Sequence, residues 1–350
     1  MNHTIIESAL TTGLVQSPQD APAIRWGILG AGNISGTFAT AVTQHTASHI
    51  AAVASRDVTK AQQFIDTHLS AAEKPAVAYG SYDELVHDDT IDAIYVGTPH
   101  SHHHEHALLA IRAGKHVLVE KAFTRNAAEA RDLHEAARQT GVFVMEAMWT
   151  RFLPHIAALK DVIARGTIGD IVTVFADHGQ NFPLNPTHRL YDPHLAGGAL
   201  LDLGVYPISF MHDLLGAPDH ITARGKLAET GVDGQISMIF EHGERTQSVV
   251  NTTVWGTSPN TAAVVGSLGR IEIDGWFYAP SGFTVTLYTG EKYVYECDDV
   301  YGFEWEAAEV ARCITSGKTH SDRMSWTDTI EVMETMDEVR RQTGVIYPGE

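Results

Sequence analysis

The sequence predicts a parallel-sheet α/β domain followed by an α+β domain with a large, mostly antiparallel open sheet. Three observations carry this expectation. Between Ile24 and Met148, short apolar, β-branched runs alternate with helical stretches, the pattern of parallel strands wrapped by helices. From about Asp170 to Glu296 strand follows strand, and several are joined by short Gly-containing turns that favour antiparallel neighbours. A chain of 350 residues is also too long for one typical compact domain and comfortable for two.

Residues 1–23, MNHTIIESALTTGLVQSPQDAPA, lack a basic start and a sustained apolar stretch, so they do not read as a secretory leader. They are expected to be a poorly ordered extension. Residues 24–148 form the first domain, with strands expected at IRWGIL from Ile24, HIAAVAS from His49, AVAY from Ala76, IDAIYVGT from Ile91, KHVLVE from Lys115 and VFVMEA from Val142. The helical stretches between them are ISGTFATAVTQH, VTKAQQFIDTHL, YDELVHD, HHHEHALLAIRAG and NAAEARDLHEAARQTG. In the last, Asn126 is placed to cap the start and Gly141 to end it. Residues 149–350 form the second domain, opening with a helix in FLPHIAALKDVIARG. Its strands are IVTVFADHG, GQISMIFEHG, ERTQSVVNTTVWG, TAAVVGS, GRIEID, FTVTLYTG and EKYVYEC, with one early helical insertion, GGALLDLGVYPISFMHDLLG. Two helices, near Glu304–Ser316 and Trp326–Gln342, close the chain.

Charge narrows the partners. Lys and Arg number 24 against 43 Asp and Glu, a formal net charge of −19, and such a surface repels phosphate backbones and anionic lipid. Nucleic acid and membranes are therefore not expected partners, and no apolar run approaches the roughly 18 residues of a membrane helix. Two cysteines, Cys297 and Cys313, amount neither to a disulfide framework nor to a thiolate metal site, which fits a reducing cytoplasm.

The first strand runs into Gly30-Ala-Gly32-Asn33-Ile34-Ser35 and then into a helix. This is G-x-G-x-x-S. Gly30 permits the tight turn, Gly32 lets backbone approach a pyrophosphate, and the helix start offers N–H groups and a positive dipole end. Ser35 replaces the usual Gly or Ala but is small enough for close packing. In this strand-loop-helix context the motif reads as a Rossmann-type dinucleotide site. The second strand ends Ser55-Arg56-Asp57. An acidic residue at its end would favour a free ribose 2′-hydroxyl, whereas Ser55 can donate to phosphate oxygens and the Arg56 guanidinium can pair with a 2′-phosphate or stack on adenine. Asp57 is expected to start the next helix. The expected cofactor is NADP rather than NAD.

With GILGAGNI, Thr98-Pro99 followed by His103, AGKHVLVEKA and GGALLDLGVY in view, the chain resembles the glucose-fructose oxidoreductase and inositol dehydrogenase (Gfo/Idh/MocA) family from Ile24 onward. GGALLDLGVY and MEAMWTRFLP resemble most the branch of dimeric dihydrodiol dehydrogenases and NADP-dependent D-xylose dehydrogenases. The family's Glu-Lys-Pro reads here Glu120-Lys121-Ala122. The resemblance implies that Glu120 and Lys121 border the nicotinamide ribose and that Lys121 polarises the reacting oxygen, stabilising alkoxide character. A lysine at a strand's carboxyl end also lies where open parallel sheets bind ligands. Ala122 in place of proline is expected to loosen the loop. Asp202 and Tyr206 stand four apart, about one helical turn, so both can face one cleft. Tyr206 replaces the family's common histidine. Its phenol is assigned the substrate proton, with Asp202 assisting. Trp149 and Arg151, directly after the sixth strand, resemble the wall of a substrate pocket. Trp255, Trp276 and Phe277 are weaker candidates, as aromatic strand residues that usually pack a sheet.

The run PHSHHHEH, Pro99 to His106, holds five histidines. His102 and His106 share a helix face as zinc ligands do, yet no distant Cys or carboxylate is recruited to complete a site, and hydride transfer to nicotinamide needs no metal. No metal is expected. Thr98, Pro99, His100 and His103 coincide with the family's cofactor loop and are assigned to the nicotinamide half. His102, His104 and His106 are expected on the helix surface.

The reading is an NADP-dependent dehydrogenase or reductase acting on a hydroxyl or carbonyl of a small sugar, polyol or cyclic diol. A non-catalytic nucleotide or sugar sensor and a nicotinamide-dependent glycosidase are the alternatives on the same fold. The family also implies a homodimer through the second domain's sheet.

Overall fold

A computed structural model describes residues 4–8, 12–297 and 302–350. Two compact units emerge. One comprises residues 17–149 and 302–330, the other residues 4–8, 12–16, 150–297 and 331–350.

Strand β1 (Thr4–Ile5) pairs in parallel with β15 (Lys292–Tyr295), so part of the expected disordered extension is the edge of a sheet. Further on, the Ser17 hydroxyl accepts from Gln19 N to cap a short turn at Pro18–Asp20, Pro18 is buried, and Arg312 Nη2 donates to Ser17 O at 2.7 Å. No local pattern announces these anchors, because their partners lie near the other end of the chain.

The first unit carries β2 (Arg25–Leu29), β3 (His49–Ala54), β4 (Val77–Tyr79), β5 (Ala93–Val96), β6 (His116–Glu120) and β7 (Val144–Ala147). They form one six-stranded parallel sheet in the order β4-β3-β2-β5-β6-β7. Each expected strand is present. Every residue of β5 is buried, and its near-continuous apolar sequence is what a strand covered on both faces requires. The crossovers are α1 (Asn33–His45), α2 (Val58–His68), α3 (Tyr82–Val86), α4 (His103–Arg112) and α5 (Ala127–Thr140). Asn126 Oδ1 accepts from Glu129 N at 2.9 Å, and Gly141 takes the left-handed conformation at φ 73°, as its C-cap role demands. The strand order reverses between β2 and β5. That switch point is where open α/β sheets bind ligands.

The second unit contains α6 (Pro154–Ala164), β8 (Ile171–Gly179), α7 (Val205–Leu215), β9 (His220–Leu227), β10 (Asp233–His242), β11 (Thr246–Thr253), β12 (Ala262–Gly266), β13 (Gly269–Ile273) and β14 (Phe283–Leu287), with β15 last. The nine strands run β1-β15-β14-β13-β12-β8-β11-β10-β9. Pairing is mostly antiparallel, but β8 and β11 are parallel. Strand β9 was not expected from the sequence. It is an edge strand in which Ala223 alone is buried, and Arg224 and Lys226 break the apolar alternation that would have announced it.

Helices α8 (Phe303–Thr315) and α9 (Trp326–Thr343) follow. The expected second domain, 149–350, is not one piece: α8 packs on α1 and buries Phe303, Trp305 and Val310 in the parallel-sheet unit. An amphipathic helix advertises a buried face but not which core receives it. Among the described residues no helix is long and apolar enough to cross a membrane.

Candidate active site

The glycine loop lies at the switch point. Gly30 has φ 101°, and a Cβ there would stand 2.9 Å from Gly97 O and 2.9 Å from Thr98 Cγ2, so the β2 and β5 loops touch through this position. Helix α1 starts at an extended Gly32 with no side-chain cap, and Asn33 and Ile34 are exposed. Its first N–H groups are thus left to a ligand, which fits a pyrophosphate. Ser35 is fully buried, and a Cβ on Gly97 would meet its Oγ at 2.2 Å, so helix and strand are as close as the motif requires. Asp57 caps α2, accepting from Thr59 N at 2.9 Å, as expected, while Ser55 is half-buried and Arg56 exposed at the end of β3. These residues fit a dinucleotide.

The histidine run divides three ways. His103 is buried, with Nε2 2.7 Å from Thr98 O and Nδ1 2.9 Å from Ala122 O, so it ties the β5 loop to the β6 loop. Burial pushes its pKa down to about 4 against the pull of those carbonyls, and the neutral ring donates to one of them. His100, also buried, lies edge-on to it at 5.5 Å. His104 contacts Asp132 of α5 at 2.8 Å. His102 and His106 stack at 5.5 Å, and His106 Nδ1 is 3.0 Å from Thr98 Oγ1. His102, His104 and His106 had been expected on the helix surface; each is half-buried.

Lys121 emerges half-buried at the carboxyl end of β6, the edge that also carries Gly30 and Thr98. The preceding Glu120 is buried, accepts from the Tyr95 hydroxyl and accepts from Lys121 N at 3.1 Å. Ala122 does not leave this loop loose: its carbonyl is held by His103, and Phe123 N donates to Glu146 Oε1 at 3.2 Å. Glu306 is fully buried and feels the charges of three further buried carboxylates, Glu120, Glu146 and Glu304. Burial and then the charges of Glu120, Glu304 and Glu146 push Glu306 well above its ordinary value. Sequence reasoning missed this cluster because Glu304 and Glu306 were read as belonging to the other domain.

In the second unit the GGALLD run forms a π-helical turn, Leu200–Gly204, leading into α7. Its glycines have tight neighbours. A Cβ on Gly198, at φ 120°, would meet Asp233 Oδ1 at 2.1 Å, and Asp233 Oδ2 accepts from Leu200 N at 2.6 Å. Asp202 is buried, not helix surface, and binds Arg189 bidentately at 3.0 and 3.2 Å. The Tyr206 ring lies 5.2 Å from His178 and 4.8 Å from Tyr278, and His178 stacks on Tyr278 at 4.1 Å. His178 Nδ1 is 3.1 Å from Leu203 O. Arg189, His178 and Tyr278 are absent from the sequence assignment. His178 alone had a signal, since it follows Val174 and Ala176 on the inward face of β8, where a polar residue is out of pattern.

Residues 24–148 match the oxidoreductase family with an NAD-binding Rossmann fold, and residues 156–272 match the GFO/IDH/MocA C-terminal domain. A trans-1,2-dihydrobenzene-1,2-diol dehydrogenase of Xenopus laevis is 35% identical over 93% of this chain and 100% of its own. The D-xylose 1-dehydrogenase (NADP(+)) of Hypocrea jecorina is 36% identical over 93% of each chain. The chain belongs to the Gfo/Idh/MocA oxidoreductase family. Among solved structures, the 3-ketoreductase KijD10 of Actinomadura kijaniata, in complex with NADP and TDP-benzene, has a TM-score of 0.82 at 26% identity, covering 92% of this chain and 98% of that one.

In this Gfo/Idh/MocA oxidoreductase the expected pocket residues behave differently from one another. Arg151 is buried and spends its donors within its own unit: Nε on Ser209 Oγ at 3.0 Å, Nη2 against Ser209 O and His212 Nδ1, and Nη1 3.8 Å from Asp213. These contacts tie Arg151 to α7. Trp149 is buried and stacks on Phe303 at 4.6 Å. Phe277 is fully buried, as a packing residue should be, and Trp255 is 43% exposed. Trp276, taken for a strand residue, lies outside the strands and is 59% exposed. Its ring continues the row past Tyr278 at 6.1 Å. Thr150 Oγ1 donates to Tyr278 O at 2.7 Å, and His155 Nε2 lies 3.2 Å from Phe277 O, so the loop bearing this tryptophan is tied down.

Proposed function

We propose that the protein is an NADP-dependent dehydrogenase or reductase that moves hydride between nicotinamide and a hydroxyl or carbonyl carbon of a small sugar, polyol or cyclic diol. The observation that carries this reading is Lys121 at the carboxyl edge of the parallel sheet that also bears Gly30 and Thr98. The named activities of the two relatives, on a diol and on xylose, support the substrate class. The nicotinamide cofactor, when bound, supplies the site that gives or takes hydride. Gly30, Gly32, Asn33 and Ile34 would hold its pyrophosphate, Ser55 and Arg56 its 2′-phosphate, and Thr98, Pro99, His100, His103, Glu120 and Lys121 its nicotinamide half.

The protein's own contribution is electrostatic and protonic. The Lys121 ammonium stabilises negative charge on the reacting oxygen, in the way any preorganised donor aimed at a developing oxyanion does. Tyr206 takes or gives the hydroxyl proton, and Asp202, clamped by Arg189, positions the turn that leads into α7, which carries Tyr206. Trp149 and the exposed Trp276 are assigned to the substrate. A flat ring at the end of the Tyr206–His178–Tyr278–Trp276 row suits the apolar face of a sugar or cyclic diol. Trp276→Ala should raise KM roughly threefold to tenfold with little change in kcat. An unchanged KM across an aldose and diol panel removes it from the site.

Fluorescence titration with NADPH and NADH tests the cofactor. Tighter NADPH binding is expected, and Arg56→Ala should weaken NADPH by about tenfold while sparing NADH. An NADH preference of about tenfold, ~1.4 kcal/mol, would overturn the Ser55 and Arg56 assignment.

The protein is further proposed to be a cytoplasmic homodimer. Across one face of the nine-stranded sheet, Ile239 stands opposite Val249 and Val249 opposite Phe175, and the three are 42%, 40% and 44% exposed. An apolar row of this kind is what a partner sheet would cover. Sedimentation of the wild type should give a dimer and of Val249→Glu a monomer, because a two-fold contact sets the new charge near its own copy. A wild type that sediments as a monomer ends the proposal.

A further inference from the structure

The half of the histidine run that the cofactor loop does not use forms a site of its own. His102 ends the short turn His100–His102, and Glu105 and His106 lie in the first turn of α4. Spacings of three and four put all three side chains on one helix face, and one ligand atom from each lies within 4.8 Å of the others. The remaining three histidines of the run are engaged elsewhere: His100 edge-on to His103, His103 between two loop carbonyls and His104 on Asp132. A metal site here needs no distant residue to complete the set. Glu105, one position from His106, supplies the carboxylate locally.

The donor set defines the ion. Two imidazoles and one carboxylate suit Zn2+ and its neighbours in the first transition row, whereas Mg2+ and Ca2+ select all-oxygen sites. Zinc bonds of about 2.0–2.2 Å place tetrahedral donors about 3.4 Å apart, so side-chain rotation alone closes the cluster onto an ion. The outer partner is already in place. His106 Nδ1 faces Thr98 Oγ1 at 3.0 Å, which leaves Nε2 for the metal and lets Nδ1–H donate to the hydroxyl. We propose that His102, Glu105 and His106 bind one divalent transition-metal ion of the Zn2+ class, with water in the open position, and that this ion fastens the start of α4 to the Thr98 loop. The hydride chemistry proposed above does not require it, and the site stands or falls independently of that chemistry.

The test is titration of the tag-free full-length protein with Co2+, followed by displacement with Zn2+. One equivalent should give the intense visible absorption of a four-coordinate cobalt site and lose it to Zn2+. His106→Gln and Glu105→Gln should each weaken binding by at least about tenfold. Glu105 is exposed, so its amide variant keeps the fold and reads ligation alone. His104→Gln, outside the cluster, should bind as the wild type does. Binding that survives both ligand substitutions, or a wild type that takes up no Co2+ at about millimolar concentration, would overturn the proposal.

Discussion

Lys121→Ala is expected to lower kcat by about a hundredfold to a thousandfold, the loss measured when one preorganised oxyanion donor is removed. Affinity for NADPH should stay within about threefold of the wild type, less than 1 kcal/mol. The two effects separate because the substitution deletes one ammonium from the sheet's carboxyl edge and leaves the rest of that edge intact. Gly30 still meets the Gly97–Thr98 loop, and α1 still presents an uncapped start at Gly32. Glu120 keeps the Tyr95 hydroxyl, and its bond to residue 121 uses backbone N, which alanine retains. Lys121→Arg should recover little, since a planar fork on a different stem does not return a point charge to the same place. Steady-state kinetics on the best substrate of an aldose and diol panel, with a parallel NADPH titration, checks both halves. Full turnover in the alanine variant would remove Lys121 from the chemistry. Equal losses in turnover and in NADPH affinity would make it a cofactor ligand only.

What the sequence made legible follows from which interactions are local. The six parallel strands are short apolar runs between helices, and each lies where those runs put it. The glycine motif was readable for the same reason, because a turn, a helix start and a packing contact depend on six consecutive residues. Ser35 in the third position tested that reading, and its burial against Gly97 supports it. Long-range partners were not readable. No spacing announces that Arg189 will clamp Asp202, and no pattern says that Glu304 and Glu306, near the end of the chain, join Glu120 and Glu146. Burial was not readable either: Arg151 is buried and Trp276 is 59% exposed, the reverse of what a charged residue and a strand aromatic lead one to expect.

Acid should destabilise the parallel-sheet unit well before its surface carboxylates titrate. Burial holds His103 and His106 down to about 4 and His134 down to about 3, each from an ordinary 6.5. A group whose folded value is depressed leaves the unfolded chain holding more protons between the two values, so stability falls as pH falls through that interval. Each such histidine costs about 1.4 kcal/mol per pH unit between its ordinary and its folded value. Glu306 works in the opposite direction, since its raised folded value favours the native state as pH drops towards 4.5, but it is one group against several depressed histidines, His49 and His116 included. The net loss should therefore start near pH 6.5 and steepen towards pH 4. His134 offers the cleanest test. Its ring is buried, stacks on Trp326 at 5.0 Å and has no hydrogen-bond partner at either nitrogen among the described residues, and nearby His320 lowers it further. His134→Phe keeps the stacking partner and removes the titration. Urea unfolding followed by tryptophan fluorescence at a series of pH values should show the variant's stability falling less steeply than the wild type's, by about 1.4 kcal/mol per pH unit below 6.5. Parallel slopes in the two proteins would mean that the His134 ring takes up its proton in the folded state as readily as in the unfolded chain.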